Sequence, residues 1–471
     1  MQRLSGLDAD FIYFETPTTH MNVGATCVLD PAGAPAGPWL DAVRTALADR
    51  LVRVPMLRRR LVEVPLRLDR PRWVDDPAFD LDYHLRPAAL ACPGGAAELA
   101  ELAAKIMGQP LDRSRPLWEM YVVEGLEAGM VAVVIKVHHA ATDGVTAVQL
   151  LARLLDPGDE PASEPLPDDP WCPEPVPSDS ELVGDALAGL PDQSVAMARA
   201  IRRTVEVAVE VGRRNRARGV APPPAPFRAP RTSLNATITP HRRVGFGEVL
   251  LEDVRSVRAS LRVTSNDVVL AVCSGAVRRY LAGRGEVPEE PLVVLVPVSA
   301  HRHAGRAAHG RSGANQVSGM LVSLATDVDD PIDRVRAISG GTRLARKQER
   351  VLGADALDDL AELSAPLLAA GATRLISGLR IFDRARPLCN LVVSNVGGPA
   401  SPLSFAGARM VAIYPMAPVA DGIGLNITVV TYLGRLFFGL VACRDTGPDV
   451  DAIARYLSDA LDELVKAAEP N

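Results

Sequence analysis

Two kinds of apolar pattern recur along the chain. In the first, nearly every position is apolar until a turn residue stops the run, as in "VAVVIKV", "PLVVLVPVSA", "GMLVSLAT" and "LVVSNVGG". Such runs predict strands buried on both faces. In the second, apolar residues return every three or four positions. "GVTAVQLLARLLD" places Val145, Val148, Leu151 and Leu155 on one helical face. "TSNDVVLAVCSGAVRRYLAG" opens with the capping residues Thr264, Ser265 and Asn266 and stops at Gly283, which predicts a helix between them. Two hairpins are expected. "EMYVVEG" and "VAVVIKV" are joined by "LEAGM", and "IGLNITVVTY" and "RLFFGLVACR" flank Leu433-Gly434. Strands and helices interleave throughout, so the pattern predicts an α/β fold with mixed sheets in two lobes.

Punctuation divides the chain into an N-terminal lobe over 1–155, a link over 156–234 and a C-terminal lobe over 235–471. The link opens with "PGDEPASEPLPDDPWCPEPVPSDS", Pro157 to Ser180, a proline- and acid-rich stretch expected to be extended. It closes with "GVAPPPAPFRAPRTSLN". Between them "SVAMARAIRRTVEVAVEVGRRNRARG" reads as an arginine-bearing helix, although its "TVEVAVEV" centre has a period of two that also fits a strand. There is no internal repeat.

Composition narrows the function class. The 471 residues are 48% hydrophobic, which is ample for two or three packed units. A net charge of −6 argues against a dedicated nucleic-acid binder. Lysine occurs only at 105, 136, 347 and 466, so the arginine excess is a coding bias that says little about partners. The six cysteines form no CxxC pair, which suggests packed, reduced thiols in a cytoplasmic protein. "MQRLSGLDADFIYFETP" carries acids where a signal peptide needs an apolar core. No run approaches the ~20 apolar residues that span a bilayer. Any membrane contact is therefore expected at the surface.

The chemistry concentrates at "VVIKVHHAATDGVTAVQLL", Val133 to Leu151. A buried strand delivers His138 and His139 to its end, and a helix begins near Gly144. A neutral imidazole at a strand-to-helix connection can take a proton near pH 7. Adjacent histidines on a strand point to opposite faces and chelate one ion poorly, so no metal is expected. Asp143 can cap the helix or pair with an arginine, and Gly144 permits a close backbone approach.

"HHAATDG" resembles the HHxxxDG signature of the acyltransferase superfamily built on the chloramphenicol acetyltransferase fold, which includes peptide-synthetase condensation domains. Further segments narrow the resemblance. Leu4 to Gly24, "LSGLDADFIYFETPTTHMNVG", is similar to the opening of bacterial wax ester synthase/acyl-CoA:diacylglycerol acyltransferases. "RPLWEMYVVEGL" is similar to their PLW motif, Asn266-Asp267 to their Asn-Asp motif, and "NLVVSNVGGP" to their SNVPGP motif, with Gly397 in place of proline. These matches span nearly the whole chain in family order.

The resemblance implies two chloramphenicol acetyltransferase-like lobes around an interdomain substrate channel. It implies an O-acyltransferase that moves a long-chain acyl group from acyl-CoA to a fatty alcohol or diacylglycerol, giving wax ester or triacylglycerol. His139 would be the general base, with His138 and Asp143 supporting it. Gly144, Asn266, Trp118, Ser394 and Asn395 are the expected substrate contacts; Trp118 also reads as core packing, Asn266 as a helix cap, and the Ser394–Pro399 turn as architecture. No cofactor is expected beyond acyl-CoA as co-substrate. Peripheral attachment to the inner membrane or lipid droplets, through the arginine-bearing segment, is a further expectation. Two other readings share the motif: a condensation-type enzyme using carrier-protein thioesters, and a non-catalytic lipid-binding protein of the same fold.

Overall fold

The computed structural model describes residues 1–142, 150–151, 153–157, 172–189, 202, 224–299, 317–352, 385–399 and 401–469. Two large sheets organise it. The first has seven strands in the order β5 (Leu85–Ala89), β6 (Trp118–Glu124), β7 (Val131–His138), β2 (Asn22–Asp30), β14 (Ala408–Met416), β13 (Leu403–Phe405) and β8 (Asp156–Pro157). The second has six, in the order β11 (Val317–Ser323), β10 (Val293–Ser299), β12 (Leu391–Val396), β15 (Leu425–Tyr432), β16 (Arg435–Cys443) and β9 (Arg242–Leu250). A small third sheet joins β1 (Gln2–Arg3), β4 (Arg72–Asp75) and β3 (Arg59–Val62). Both large sheets are mixed: β5–β6, β10–β12 and β12–β15 run parallel among otherwise antiparallel pairs.

Both expected hairpins form, β6–β7 and β15–β16. At the second turn Leu433 and Gly434 have φ of 45° and 75°. Two successive left-handed residues give the turn whose twist matches the strands it joins, and this is why a glycine is needed there.

Helices cover the sheets. α1 (Gly6–Tyr13) precedes β2, and α2 (Trp39–Leu51) lays Val43, Leu47 and Leu51 on one face of the seven-stranded sheet. α3 (Ala96–Met107) lays Leu99, Ala103 and Ile106 on the other. α4 (Leu251–Leu261), α5 (Ser265–Ala282), α6 (Pro331–Leu352) and α7 (Val450–Ala468) pack on the six-stranded sheet. The helix start near 264 is a reciprocal cap. The Thr264 hydroxyl accepts from the Asp267 N–H at 3.2 Å, and the Asp267 carboxylate accepts from the Thr264 N–H at 2.9 Å. Asn266 is therefore not the cap.

Chain order and packing part company in two places. β13 and β14 lie in the C-terminal third of the chain but pair within the seven-stranded sheet, β14 directly beside β2. The expected link also contributes to packed structure. Residues 172–178 lack regular structure, as expected for a proline-rich stretch, but a helix follows over 179–189 and buries Leu182 and Ala186 against Val64. Asp156 pairs with Arg50 through two 2.6 Å contacts and anchors β8 at the sheet edge. The arginine-bearing segment lies outside the described residues apart from Arg202, as does most of "GVTAVQLLARLLD".

Candidate active site

Alternation along β7 lays out the site. Ala132 and Val134 face α3, and Lys136 follows them, its ammonium donating to the Ile106 carbonyl at 3.3 Å. Val133, Ile135 and Val137 face the opposite side. With a period of two, His138 falls on the Lys136 side and His139 on the Val137 side.

The Lys136 side is polar and closed. Lys136 is fully buried and meets Glu119 of β6 at 2.8 Å. Burial lowers its ammonium pKa, and Glu119 opposes that shift. Glu119 also pairs with Arg86 at 3.0 Å and accepts from the Tyr121 hydroxyl at 3.0 Å. His138 is buried as well. Its Nδ1 accepts from the Ala140 N–H at 3.0 Å, which fixes the ring proton on Nε2, 3.2 Å from the Glu15 carboxylate. His138 does not reach the cavity on the other face.

That cavity has a volume of about 440 Å³ and lies between the two large sheets. Val23, Ala25, Ile135, Val137 and Ile413 line it from the seven-stranded sheet. Leu295, Pro297, Val392, Val396 and Val430 line it from the six-stranded one. Leu150, Leu151 and Leu154 close one side. Among the described lining residues, the polar side chains are His139, Thr142, Ser394, Asn426 and Thr428. His139 is half-buried; its backbone N–H donates to the Met21 carbonyl at 2.7 Å, and its ring stacks on Phe11 with centroids 4.0 Å apart. Across the cavity Ser394 sits opposite Thr428 in the β12–β15 register, and the Thr428 hydroxyl donates to the Asn426 amide oxygen at 2.9 Å.

The expected substrate contacts divide. Ser394 lines the cavity, whereas Asn395 points the other way, because successive strand residues face opposite sides. Asn395 is exposed and donates to the Asn266 side chain at 3.5 Å; neither asparagine is among the cavity-lining residues. Trp118 is in the core. It stacks on His84 at 4.5 Å and its Nε1 donates to the Leu57 carbonyl at 2.7 Å, which leaves it away from the cavity. Asp143 and Gly144 lie outside the described residues. No group of three or more His, Cys, Asp or Glu among the described residues is arranged to hold a metal ion.

Sequence reasoning missed Phe11, Thr142, Asn426 and Thr428. The first lies in the Leu4–Gly24 segment that carries the resemblance, yet no spacing rule connects it to a histidine far along the chain. Asn426 and Thr428 carry a usable signal: polar residues at alternate positions of "LNITVVTY", a strand otherwise apolar.

Two mixed sheets packed around a cavity, with a histidine at one strand end opening into it, define the fold. A trichothecene 15-O-acetyltransferase from Fusarium sporotrichioides shares it, with a TM-score of 0.59 at 11% identity over 99% of this chain and 95% of that one. Nearer likenesses settle the family. Residues 4–269 match the wax ester synthase/diacylglycerol acyltransferase catalytic domain, and 313–465 match the C-terminal domain of the same family. The solved wax ester synthase/diacylglycerol acyltransferase from Marinobacter aquaeolei VT8 aligns with a TM-score of 0.71 and 30% identity, over 99% of this chain and 100% of that one. A provisionally named diacylglycerol O-acyltransferase of Mycobacterium tuberculosis is 37% identical over 476 residues, covering 100% of this chain and 91% of that protein. The chain belongs to the wax ester synthase/diacylglycerol acyltransferase family, and it is an acyltransferase.

Proposed function

We propose that the chain moves a long-chain acyl group from acyl-CoA to a fatty alcohol or diacylglycerol, with His139 as the general base. The observation that carries this is the position of one imidazole in a largely apolar cavity between the sheets. A hydroxyl is too weak an acid to attack a thioester unaided. His139 takes the hydroxyl proton as the oxygen attacks the thioester carbonyl. The tetrahedral intermediate carries its charge on the former carbonyl oxygen, and we assign the donor that stabilises it to the Ser394 hydroxyl, which lines the same cavity. The C–S bond then breaks, and the imidazolium returns its proton to the departing CoA thiolate. The reaction needs no cofactor beyond the co-substrate, and no covalent acyl-enzyme.

The ester product and the acceptor alcohol are water-insoluble, which supports work at a membrane or lipid-droplet surface. No helix among the described residues is long and apolar enough to cross a membrane. Flotation with liposomes, comparing the full chain with one lacking 196–218, tests this; unchanged binding excludes that segment as the anchor.

The decisive assay incubates the protein with radiolabelled palmitoyl-CoA and a panel of alcohols, followed by lipid chromatography. Labelled ester in the wild type and none in His139→Ala is the expected result. Ester formation by His139→Ala at the wild-type rate refutes the base assignment.

A further inference from the structure

The last turn of α1 and the segment that joins it to β2 cross both histidines without belonging to the strand that carries them. Four contacts hold it there. The Phe11 ring lies on the His139 ring, 15° from parallel. The Met21 carbonyl accepts from the His139 backbone N–H at 2.7 Å. The Met21 N–H donates to the Glu15 carboxylate at 2.9 Å. The same carboxylate stands 3.2 Å from His138 Nε2 and accepts from Arg113 at 2.6 Å. Glu15 thus touches His138 directly and the His139 backbone through one residue, Met21. The other end is fixed too: the Ser5 hydroxyl caps α1 by accepting from the Asp8 N–H at 3.1 Å.

We propose that residues 11–21 form a strap that positions the His139 imidazole, with Glu15 as the positioning residue that locks it and Phe11 as the surface against which the ring is held. The physical argument is geometric. A strand end followed by a loop leaves its last side chain free to turn about χ1 and χ2, and a base that samples several orientations spends little time in the productive one. Stacking removes the rotation of the ring, and the Met21 carbonyl removes the movement of its backbone. Neither holds unless the strap itself is fixed. Glu15 fixes it by joining three partners from separate parts of the chain: His138 of β7, Arg113 before β6, and Met21 of the strap. A carboxylate with three donors is costly to displace once buried.

The proposal rests on the reading of His139 as the base, and its test separates the two. Full-length Glu15→Gln keeps an oxygen for Met21 and loses the charge that holds Arg113 and His138. With palmitoyl-CoA and 1-hexadecanol, kcat should fall about 10- to 100-fold while the KM for palmitoyl-CoA stays within about twofold. Glu15→Asp, with its charge kept, should recover part of the loss. Phe11→Leu, which fills the volume without a flat ring, should lower kcat in the same way. Hydrogen exchange provides a readout independent of turnover: Glu15→Ala should speed exchange in peptides covering 15–24 and 137–141. Wild-type kcat in Glu15→Gln, or a loss confined to KM, overturns the proposal. So does unchanged exchange in Glu15→Ala. If the wild type forms no ester from any acyl-CoA and alcohol, the functional reading falls, and faster exchange would leave the strap only a structural tether.

Discussion

His138 and His139 face opposite sides of the seven-stranded sheet, His138 against Glu15 at 3.2 Å and His139 into the cavity. The two rings have different environments and should fail in different ways when removed. His139→Ala is expected to fold with a melting temperature near that of the wild type and to make no ester. His138→Ala should lose stability first. It leaves the Ala140 N–H without its acceptor and Glu15 without one of its donors, a cost of about 1–3 kcal/mol. Thermal unfolding and product formation, measured side by side on both variants, check the contrast.

The Lys136–Glu119 pair is a buried charge pair within reach of the same strand end. Replacing one member leaves the other charged and desolvated. Lys136→Met should therefore cost about 3–5 kcal/mol, whereas replacing both residues with apolar ones of similar volume should cost much less. Urea unfolding of the single and double variants measures the difference. Equal losses in both would show that the lysine acts through its packing alone.

Glu15 gives the protein an acid-sensitive element. Burial pushes its carboxyl upward, but the hydrogen bond from His138 and the partner Arg113 outweigh that and hold it at about 2, below an ordinary 4.5. A carboxyl whose folded pKa is depressed stabilises the fold fully above its unfolded value and loses that contribution as pH falls toward the folded one. The window is thus pH 4.5 down to about 2. The contribution at neutral pH is on the order of 3 kcal/mol at most. Glu15→Gln should be less stable than the wild type at pH 7, and the gap should narrow at pH 3. Urea midpoints at the two pH values test this; a gap that stays constant contradicts it.

Gly397 and Gly398 are adjacent and should respond in opposite ways. A Cβ at Gly397 meets nothing within 4 Å, whereas one at Gly398 runs into the Thr431 carbonyl oxygen. Gly397→Ala is expected to raise stability by about 0.4–1 kcal/mol, because it restricts the unfolded chain without straining the fold. Gly398→Ala should destabilise by forcing the end of β12 away from β15. Neither glycine is among the cavity-lining residues, so Gly397→Ala should leave acyl-chain preference unchanged. Melting temperatures, together with the product profile from acyl-CoAs of several lengths, decide both points.

Much of the site was legible because local rules sufficed. The apolar run before the histidines predicts a buried strand, and its period of two places His138 and His139 on opposite faces before any contact is known. The Thr264–Asp267 cap and the Leu433–Gly434 turn follow from short-range chemistry in the same way. The same period places Ser394 and Asn395 on opposite faces, yet it cannot say which face is the cavity. Among the described residues, Ser394 is the expected contact that lines the cavity, and Asn395, Asn266 and Trp118 do not.

What the sequence determined by itself was therefore the set of elements, the strand that presents the histidine pair, and the family. The tertiary structure decided which distant pieces meet. β14 inserts beside β2, Glu15 reaches His138, and Phe11 lies on His139, although each pair is far apart along the chain. The physical reason is that periodicity and capping are properties of neighbouring residues, fixed by backbone geometry. Long-range pairing is a choice among many apolar surfaces of similar hydrophobicity, and only packing the whole chain at once settles it.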